Sequence, residues 1–177
     1  MKPSKKSDVF YDLGCGYGRV CIWSAHRVKL SVGFENHYDR YRRAKWAVES
    51  SGLKNVEIRY ANFSHASYKN ATIVYSMLGL VLYDLARINR QSKNGTILIQ
   101  YWRPNYPVKA RRVSGNYFMM KTPLKRVKDE DEFARMVLGR KKAGIEDLNR
   151  KLTREDRISL KREIHESDSE WKRLFIT

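Results

Sequence analysis

Three glycines at alternate positions, in the run Gly14-Cys15-Gly16-Tyr17-Gly18, follow directly on the short β-rich segment Asp8–Leu13 and precede a helix-forming stretch, Arg19–Val28. Glycines between a strand and a helix let the backbone come close to a ligand at the helix N-terminus. A second β-rich segment, Leu30–Glu35, ends on an acid 21 residues after Gly14. A carboxylate at that place can accept hydrogen bonds from both hydroxyls of a ribose. The glycine cluster alone is weak evidence, but strand, loop, helix and acid together point to a nucleotide-type site.

The rest of the chain extends the same pattern. Tyr38, Tyr41, Ala44 and Val48 fall on one face of a helix whose other face is Arg40, Arg42, Arg43 and Lys45, and Ser51-Gly52 closes it. Val56–Ala61 and Ala71–Leu78 read as strands, the second apolar enough to be buried on both sides. Gly79–Arg90 reads as a helix, Asn94-Gly95 as a turn and Thr96–Trp102 as a fifth strand. Strand and helix alternate, so the expected fold is α/β: a Rossmann-like, doubly wound, mostly parallel sheet. Val108–Val113 and Asn116–Thr122, turned at Ser114-Gly115, read as a hairpin that supplies the last two of seven strands. From Lys128 the composition becomes helix-forming and charged, with Asp129 and Thr153 as candidate caps for helices over 130–150 and 154–174. The expected organisation is a globular domain over 1–122 and a charged helical extension over 123–177. Partial apolar stripes in that extension (Phe133, Met136 and Val137; Leu148, Leu152, Ile158 and Ile164) favour docking on the same chain over a weak dimer.

Charge narrows the partners. The 177 residues carry 36 Lys+Arg against 19 Asp+Glu, a net charge of +17. Residues 1–122 hold 21 basic and 7 acidic side chains, so the excess lies on the globular part. Such a surface attracts polyanions: nucleic acid, a nucleoprotein or an acidic protein. Cys15 and Cys21 offer neither a disulfide framework nor a zinc site. The apolar run Ile73–Leu82 is too short to span a bilayer, and no signal peptide precedes the first strand. The chain is therefore expected to be soluble and cytoplasmic, with no membrane partner and no metal.

A dinucleotide fingerprint spaces its glycines G-x-G-x-x-G. Here the third glycine comes one residue early, and Asp12 stands two before the first. In this the chain resembles the class I, seven-strand S-adenosylmethionine (SAM)-dependent methyltransferases, whose first motif is D-x-G-x-G-x-G. The segments YDLGCGYGRV, VGFE, Asn62-Phe63 and ATIVYSMLGL are similar to the small archaeal protein-lysine methyltransferases and their eukaryotic relatives, over roughly residues 8–122. The resemblance implies SAM as cofactor. It implies that Asp12 and the loop Gly14, Cys15 and Gly16 hold the methionine moiety, that Glu35 and Asn36 take the ribose, and that Asn62 and Phe63 flank the adenine. Tyr75, Ser76 and Met77, at the end of strand four, would line the methyl-transfer channel, with Tyr75 also touching the cofactor. The residues also admit a plainer reading, with Asp12 as a solvated strand end and Phe63 and Met77 as core. The family carries a helix and a loop before strand one, whereas Met1–Ser7 stand there in this sequence; the C-terminal helices are expected to take that place, or the chain to be a shortened version.

The acceptor is approached by elimination. An exocyclic base amine calls for D/N-P-P-Y/F after strand four, and this chain has Tyr75-Ser76-Met77-Leu78. Carbon-5 of a pyrimidine needs a cysteine nucleophile, while both cysteines belong to the cofactor loop and first helix. Arginine needs paired carboxylates, and Asp84 stands by itself between Glu57 and Asp129. A lysine ε-amine needs no dedicated base, since desolvation in an apolar channel favours its neutral form. Tyr75, Tyr101 and Trp102 would wall that channel, and His65 reads as a surface histidine. A strongly basic enzyme repels basic tails, so the expected substrates are lysines of folded proteins with acidic patches, or of proteins bound to nucleic acid. The alternatives are an RNA methyltransferase and a catalytically idle SAM-fold binding module, with direct nucleic-acid contact through helix 40–45.

Overall fold

The computed structural model describes residues 4–102, 104, 106–127 and, further on, residues 154, 155, 158, 161, 162, 165, 171–173 and 175. In chain order the elements are β1 (Val9–Leu13), α1 (Arg19–Ala25), β2 (Leu30–Glu35), α2 (Tyr38–Ser51), β3 (Val56–Tyr60), a 3₁₀ turn (Phe63–His65), β4 (Ile73–Ser76), α3 (Leu82–Gln91), β5 (Ile97–Gln100), β6 (Arg111–Ser114) and β7 (Tyr117–Lys121). They form one seven-stranded sheet in the order β3-β2-β1-β4-β5-β7-β6. The first five strands run parallel, and β7 is antiparallel to both β5 and β6. Strand order reverses between β1 and β4, where an open α/β sheet leaves a crevice at its carboxyl edge.

Local chemistry explains the element ends. Gly52 closes α2 in the left-handed conformation (φ 70°), its N–H turned back to the Glu49 carbonyl. α1 stops at Ala25 rather than Val28, because the Arg27 N–H turns back to Ser24 and the Lys29 N–H joins the Asp8 carbonyl. β4 is confined to Ile73–Ser76 because the Ser76 hydroxyl bonds to Leu78 and turns the chain out of the sheet. α3 accordingly starts at Leu82 and not at Gly79. The hairpin turns at Gly115-Asn116, one residue later than the sequence suggests.

Side chains alternate across the sheet. One face meets α3: Leu13, Val32, Val74 and Leu98 pack with Leu82, Leu85 and Ile88, joined by Trp171 and Phe175 from the C-terminal stretch. Burying one such aliphatic side chain is worth about 1.5–3 kcal/mol, so this layer holds most of the fold's driving force. Trp171 and Phe175, stacked on each other with ring centres 3.9 Å apart, pack against this core and so seat that part of the extension on the sheet domain. The other face carries a smaller cluster, Phe10, Val28, Ile73 and Tyr75, with Val20, Ile99 and Tyr117 at its margin. Packing runs on past residue 122: Leu124 and Val127 are buried, with their N–H groups donating to Asn89 and to the Pro107 carbonyl. The expected helix over 130–150 lies outside the described residues, as do the caps Asp129 and Thr153 and Phe133, Met136, Val137, Leu148, Leu152 and Ile164. The described residues between 154 and 175 are helical, with Ile158 exposed. Among the described residues no helix is long and apolar enough to cross a membrane. Tyr38, expected on the packed face of α2, is instead solvent-exposed; Ala44 is the fully buried residue of that face.

Candidate active site

Parallel pairing puts the ends of β1, β2 and β4 side by side, with Asp12 in register with Gly33 on one side and Tyr75 on the other. The glycine loop leaves β1 and is pinned at once. The N–H groups of Gly14 and Cys15 both donate to the Phe34 carbonyl (2.9 Å each), and that of Gly18 donates to Cys15. Gly16, at φ 56°, has nothing within 4 Å of where a Cβ would stand, so the loop is open on its outer side. β2 presses against the loop's inner side: a Cβ on Gly33 would lie 2.7 Å from the Cys15 sulfur and 2.8 Å from that of Cys21. Glycine there makes the room that both sulfurs occupy.

Glu35 is buried where β2 ends and does more than face the crevice. One carboxylate oxygen accepts the Gly16 N–H (2.9 Å) and the other the His37 N–H (2.8 Å). The acid thereby ties the glycine loop to the start of α2 while each oxygen keeps a lone pair for a ligand hydroxyl. Asp12 is buried beside it. Burial raises its pKa to about 7; the nearby Glu35 charge adds to the rise, and the Cys21 thiol, donating to Asp12 Oδ2 at 3.6 Å, opposes it. The Cys21 thiol is itself pushed well up, by its hydrogen bond with Cys15 first, then by burial, then by Asp12. A thiol so held is no thiolate nucleophile.

These placements decide what ligand charge the crevice accepts. The loop's bonded N–H groups point inward, and two buried carboxyl groups stand behind it. Among the described residues neither Asp12 nor Glu35 has a basic partner in ion-pair contact. A phosphate would meet repulsion there, whereas a ligand bearing a cationic centre and ribose hydroxyls would find its complement.

The other expected residues distribute as follows. Asn36, next to Glu35, is exposed. Ala61 extends the β2–β3 pairing through its N–H to the Glu35 carbonyl, which brings Asn62 to the same edge. Asn62 caps the 3₁₀ turn by accepting the Ser64 N–H, and its amide group is exposed. Phe63 is half-buried against the α3-side core, and His65 is exposed. Sequence reasoning missed what holds this turn: the Ser64 hydroxyl donates to buried Asp84 (2.8 Å), and Arg87 donates to the Ala66 carbonyl (2.9 Å). Cys15 turns its thiol towards Gly33 and its N–H towards Phe34, so its side chain packs the loop against β2.

Tyr75 is buried, its ring 6.1 Å from Phe10 and 6.3 Å from Tyr117. Burial and the Tyr117 hydroxyl push its phenol well up, so Tyr75 stays neutral and serves as a wall. Tyr101 packs edge-on against Tyr117 and Trp102, with both ring centres at 4.9 Å, and Trp102 is half in solvent. Tyr117, unrecognised from the sequence, is the ring that joins Tyr75 to Tyr101. Ser76 does not face this row; its hydroxyl both donates to and accepts from the Leu78 backbone. Met77 and Leu78 are exposed at the rim, and a Cβ on Gly14 would lie 3.1 Å from Leu78.

Known proteins share this fold. The crystal structure of an RNA methyltransferase from Salinibacter ruber in complex with S-adenosyl-L-homocysteine matches with TM-score 0.55 and 24% identity, over 71% of this chain and 87% of that one. An rRNA methylase from Streptococcus thermophilus matches with TM-score 0.52 and 12% identity, over 72% and 92%. The fold is that of the class I SAM-dependent methyltransferases. Beyond structure, a protein-lysine N-methyltransferase of Saccharolobus islandicus (strain REY15A) is 28% identical over 123 residues, which is 63% of this chain and 76% of that protein. No protein-family model matches the chain. The residues present fit the methyltransferase cofactor: an open glycine loop, and two buried carboxyl groups to complement its positive charge and ribose hydroxyls.

Proposed function

We propose that this chain is a SAM-dependent methyltransferase that modifies the ε-amine of lysine in proteins. The observation that carries the reading is the row of rings Phe10–Tyr75–Tyr117–Tyr101–Trp102, which runs from beside Asp12 to solvent. The similarity to a protein-lysine N-methyltransferase supports it. Glu35 would hold the ribose, Asp12 the methionine end, and the Asn62–Phe63 turn the adenine.

When bound, SAM supplies an electrophilic methyl group for in-line displacement. The chain's own contribution is alignment and exclusion of water. A lysine lying along the aromatic row loses hydration, which favours its neutral, nucleophilic form. Its proton leaves to solvent before the N–C bond forms. The charge that then develops on nitrogen is met by ring faces, worth about 0.5–2 kcal/mol. Lysines on folded proteins with acidic surroundings, or on proteins bound to nucleic acid, suit the +17 surface better than basic tails.

The test is incubation with SAM labelled on its methyl group, alongside total protein and total RNA, followed by protease, nuclease and amino-acid analysis. Label recovered as methyl-lysine, and lost in Tyr101→Ala, supports the proposal. Label in RNA would replace it with RNA methylation, the reading that the basic surface favours. Label in neither, with S-adenosylhomocysteine still bound, would leave a binding module.

A further inference from the structure

α2 presents an exposed surface that methyl transfer does not use. Trp46 is 70% exposed, and Tyr38 and Tyr60 are 55% and 56% exposed. Large aromatic side chains standing this far into water normally end up against a partner. Here they alternate with cations. Asp39, Arg42, Arg43 and Trp46 form one stripe of the helix and line a hollow of about 400 Å³. Arg42 lies over the Tyr38 ring at 5.8 Å and Arg43 over the Tyr17 ring at 5.9 Å. Arg40 and Lys45 are exposed on the same helix, and among the described residues none of these four cations has an ion-pair partner. The acids of α2 are Asp39, inside the stripe, and Glu49, one turn beyond Trp46. Tyr38, Tyr41 and Tyr60 pack with ring centres 5.4–6.4 Å apart, and Tyr60 stands in register with Glu35.

We propose that this face of α2 is a binding platform for single-stranded nucleic acid. Arg40, Arg42, Arg43 and Lys45 would take successive phosphates, and unpaired bases would stack on Trp46 and on the Tyr38–Tyr60 pair. A positive track interleaved with exposed rings is the physical requirement for such binding, because every unpaired base offers a π-face. A duplex hides those faces. A protein partner fits less well, since four cations against the two acids Asp39 and Glu49 leave α2 a net positive strip, which repeating phosphates match better than a protein surface of mixed charge. A membrane surface fits less well again, because the apolar side of α2 is already buried at Ala44. The strand would pass the Glu35 edge of the crevice and could hold a nucleic-acid-bound substrate close to it.

The experiment is fluorescence anisotropy on the full chain without methyl donor, so that its outcome is independent of the methyl-transfer reading. Labelled single strands of RNA and of DNA, about 12 nucleotides long, are compared with the same sequences as duplexes, with heparin and with anionic vesicles. Single strands should bind best, with a log–log salt slope near −2 to −3, about 0.7 per phosphate contact. Arg42→Glu with Arg43→Glu should weaken binding more than tenfold and flatten the slope by about 1.4. Trp46→Ala should weaken it about 5- to 100-fold, with Trp46→Phe recovering most of the loss. Circular dichroism and S-adenosylhomocysteine affinity should be unchanged in all three, and Arg90→Glu on α3 should be neutral. Preference for RNA or for DNA supports the proposal and names the strand. No binding at low salt, equal binding of duplex, heparin or vesicles that ignores Trp46→Ala, or an equal loss from Arg90→Glu would overturn it.

Discussion

On the α3 side of the sheet, Leu13, Val32, Val74 and Leu98 meet Leu82, Leu85 and Ile88 in a continuous apolar layer, whereas on the α1 side Phe10, Ile73 and Tyr75 share the surface with Asp12, Ser24, Ser31 and Cys21. The second group is polar and yet satisfied: the Ser24 and Ser31 hydroxyls bond to each other (2.9 Å), and Cys21 bonds to Asp12. The contrast divides the labour of the fold. One face supplies the burial that keeps the chain folded, and the other holds destabilising chemistry in place beside the glycine loop. Substitutions on the two faces should therefore separate stability from ligand binding.

The largest effect is expected on the α3 side. Leu85→Ala should lower unfolding free energy by about 2–5 kcal/mol in denaturant titration, with S-adenosylhomocysteine affinity of the folded protein changed less than about twofold. A large loss of affinity would mean that the two faces are coupled. Glu35→Ala is the converse. Loss of the ribose acceptor and of the Gly16 and His37 bonds should weaken S-adenosylhomocysteine by about 2–4 kcal/mol in calorimetry. Glu35→Gln, which keeps the shape and one acceptor, should fall between the two.

Asp12 sharpens the comparison further, because here stability and function oppose each other. Its carboxyl titrates near 3.8 when unfolded and near 7 when folded, so between those values the native state holds a proton that the unfolded state has lost. Stability conferred by the protonated form is complete below about pH 4 and declines as pH rises to about 7, by at most about 1.4 kcal/mol per pH unit. Asp12→Asn should abolish that decline and be more stable than the parent at pH 8, by about 1–3 kcal/mol, while binding S-adenosylhomocysteine more weakly. Equal pH profiles for parent and variant would remove Asp12 as the cause. The smallest effect concerns the aromatic row. Tyr117→Ala should lower kcat/KM for lysine methylation about tenfold and Tyr117→Phe about twofold, as a ring face rather than a hydroxyl is needed. Equal losses in the two would assign the role to the hydroxyl.

Much of the fold can be read locally. β2 spans Leu30–Glu35 as its β-rich composition suggests, and α2 ends at Gly52 because a left-handed cap there suits glycine. Boundaries fail where a tertiary bond truncates a run, as Ser76 does by turning an apolar stretch out of the sheet. In the site, Gly14, Gly16 and Glu35 stand out through spacing. Tyr117 does not, since nothing near it in the chain marks it as the neighbour of Tyr75 and Tyr101; β7 pairing antiparallel to β5 brings it there. Cys15 reads as a cofactor-loop residue, and the structure adds that its sulfur packs against Gly33. Tyr38 follows the apolar spacing of α2 yet stands in water beside Tyr60.

The amino-acid sequence by itself determined the kind of sheet, the place of the glycine loop and the acid that faces it. Those depend on alternation, helical period and short spacings, which the backbone imposes within a few residues. Only the tertiary structure decided that Glu35 ties Gly16 to His37, that Asp12 is buried with a raised pKa, that Tyr117 completes the aromatic row, and that Tyr38 and Trp46 stand in solvent beside the cations of α2. Each of these depends on the distance or exposure of groups brought together from separate elements, and burial and electrostatics are properties of that assembled environment rather than of any local segment.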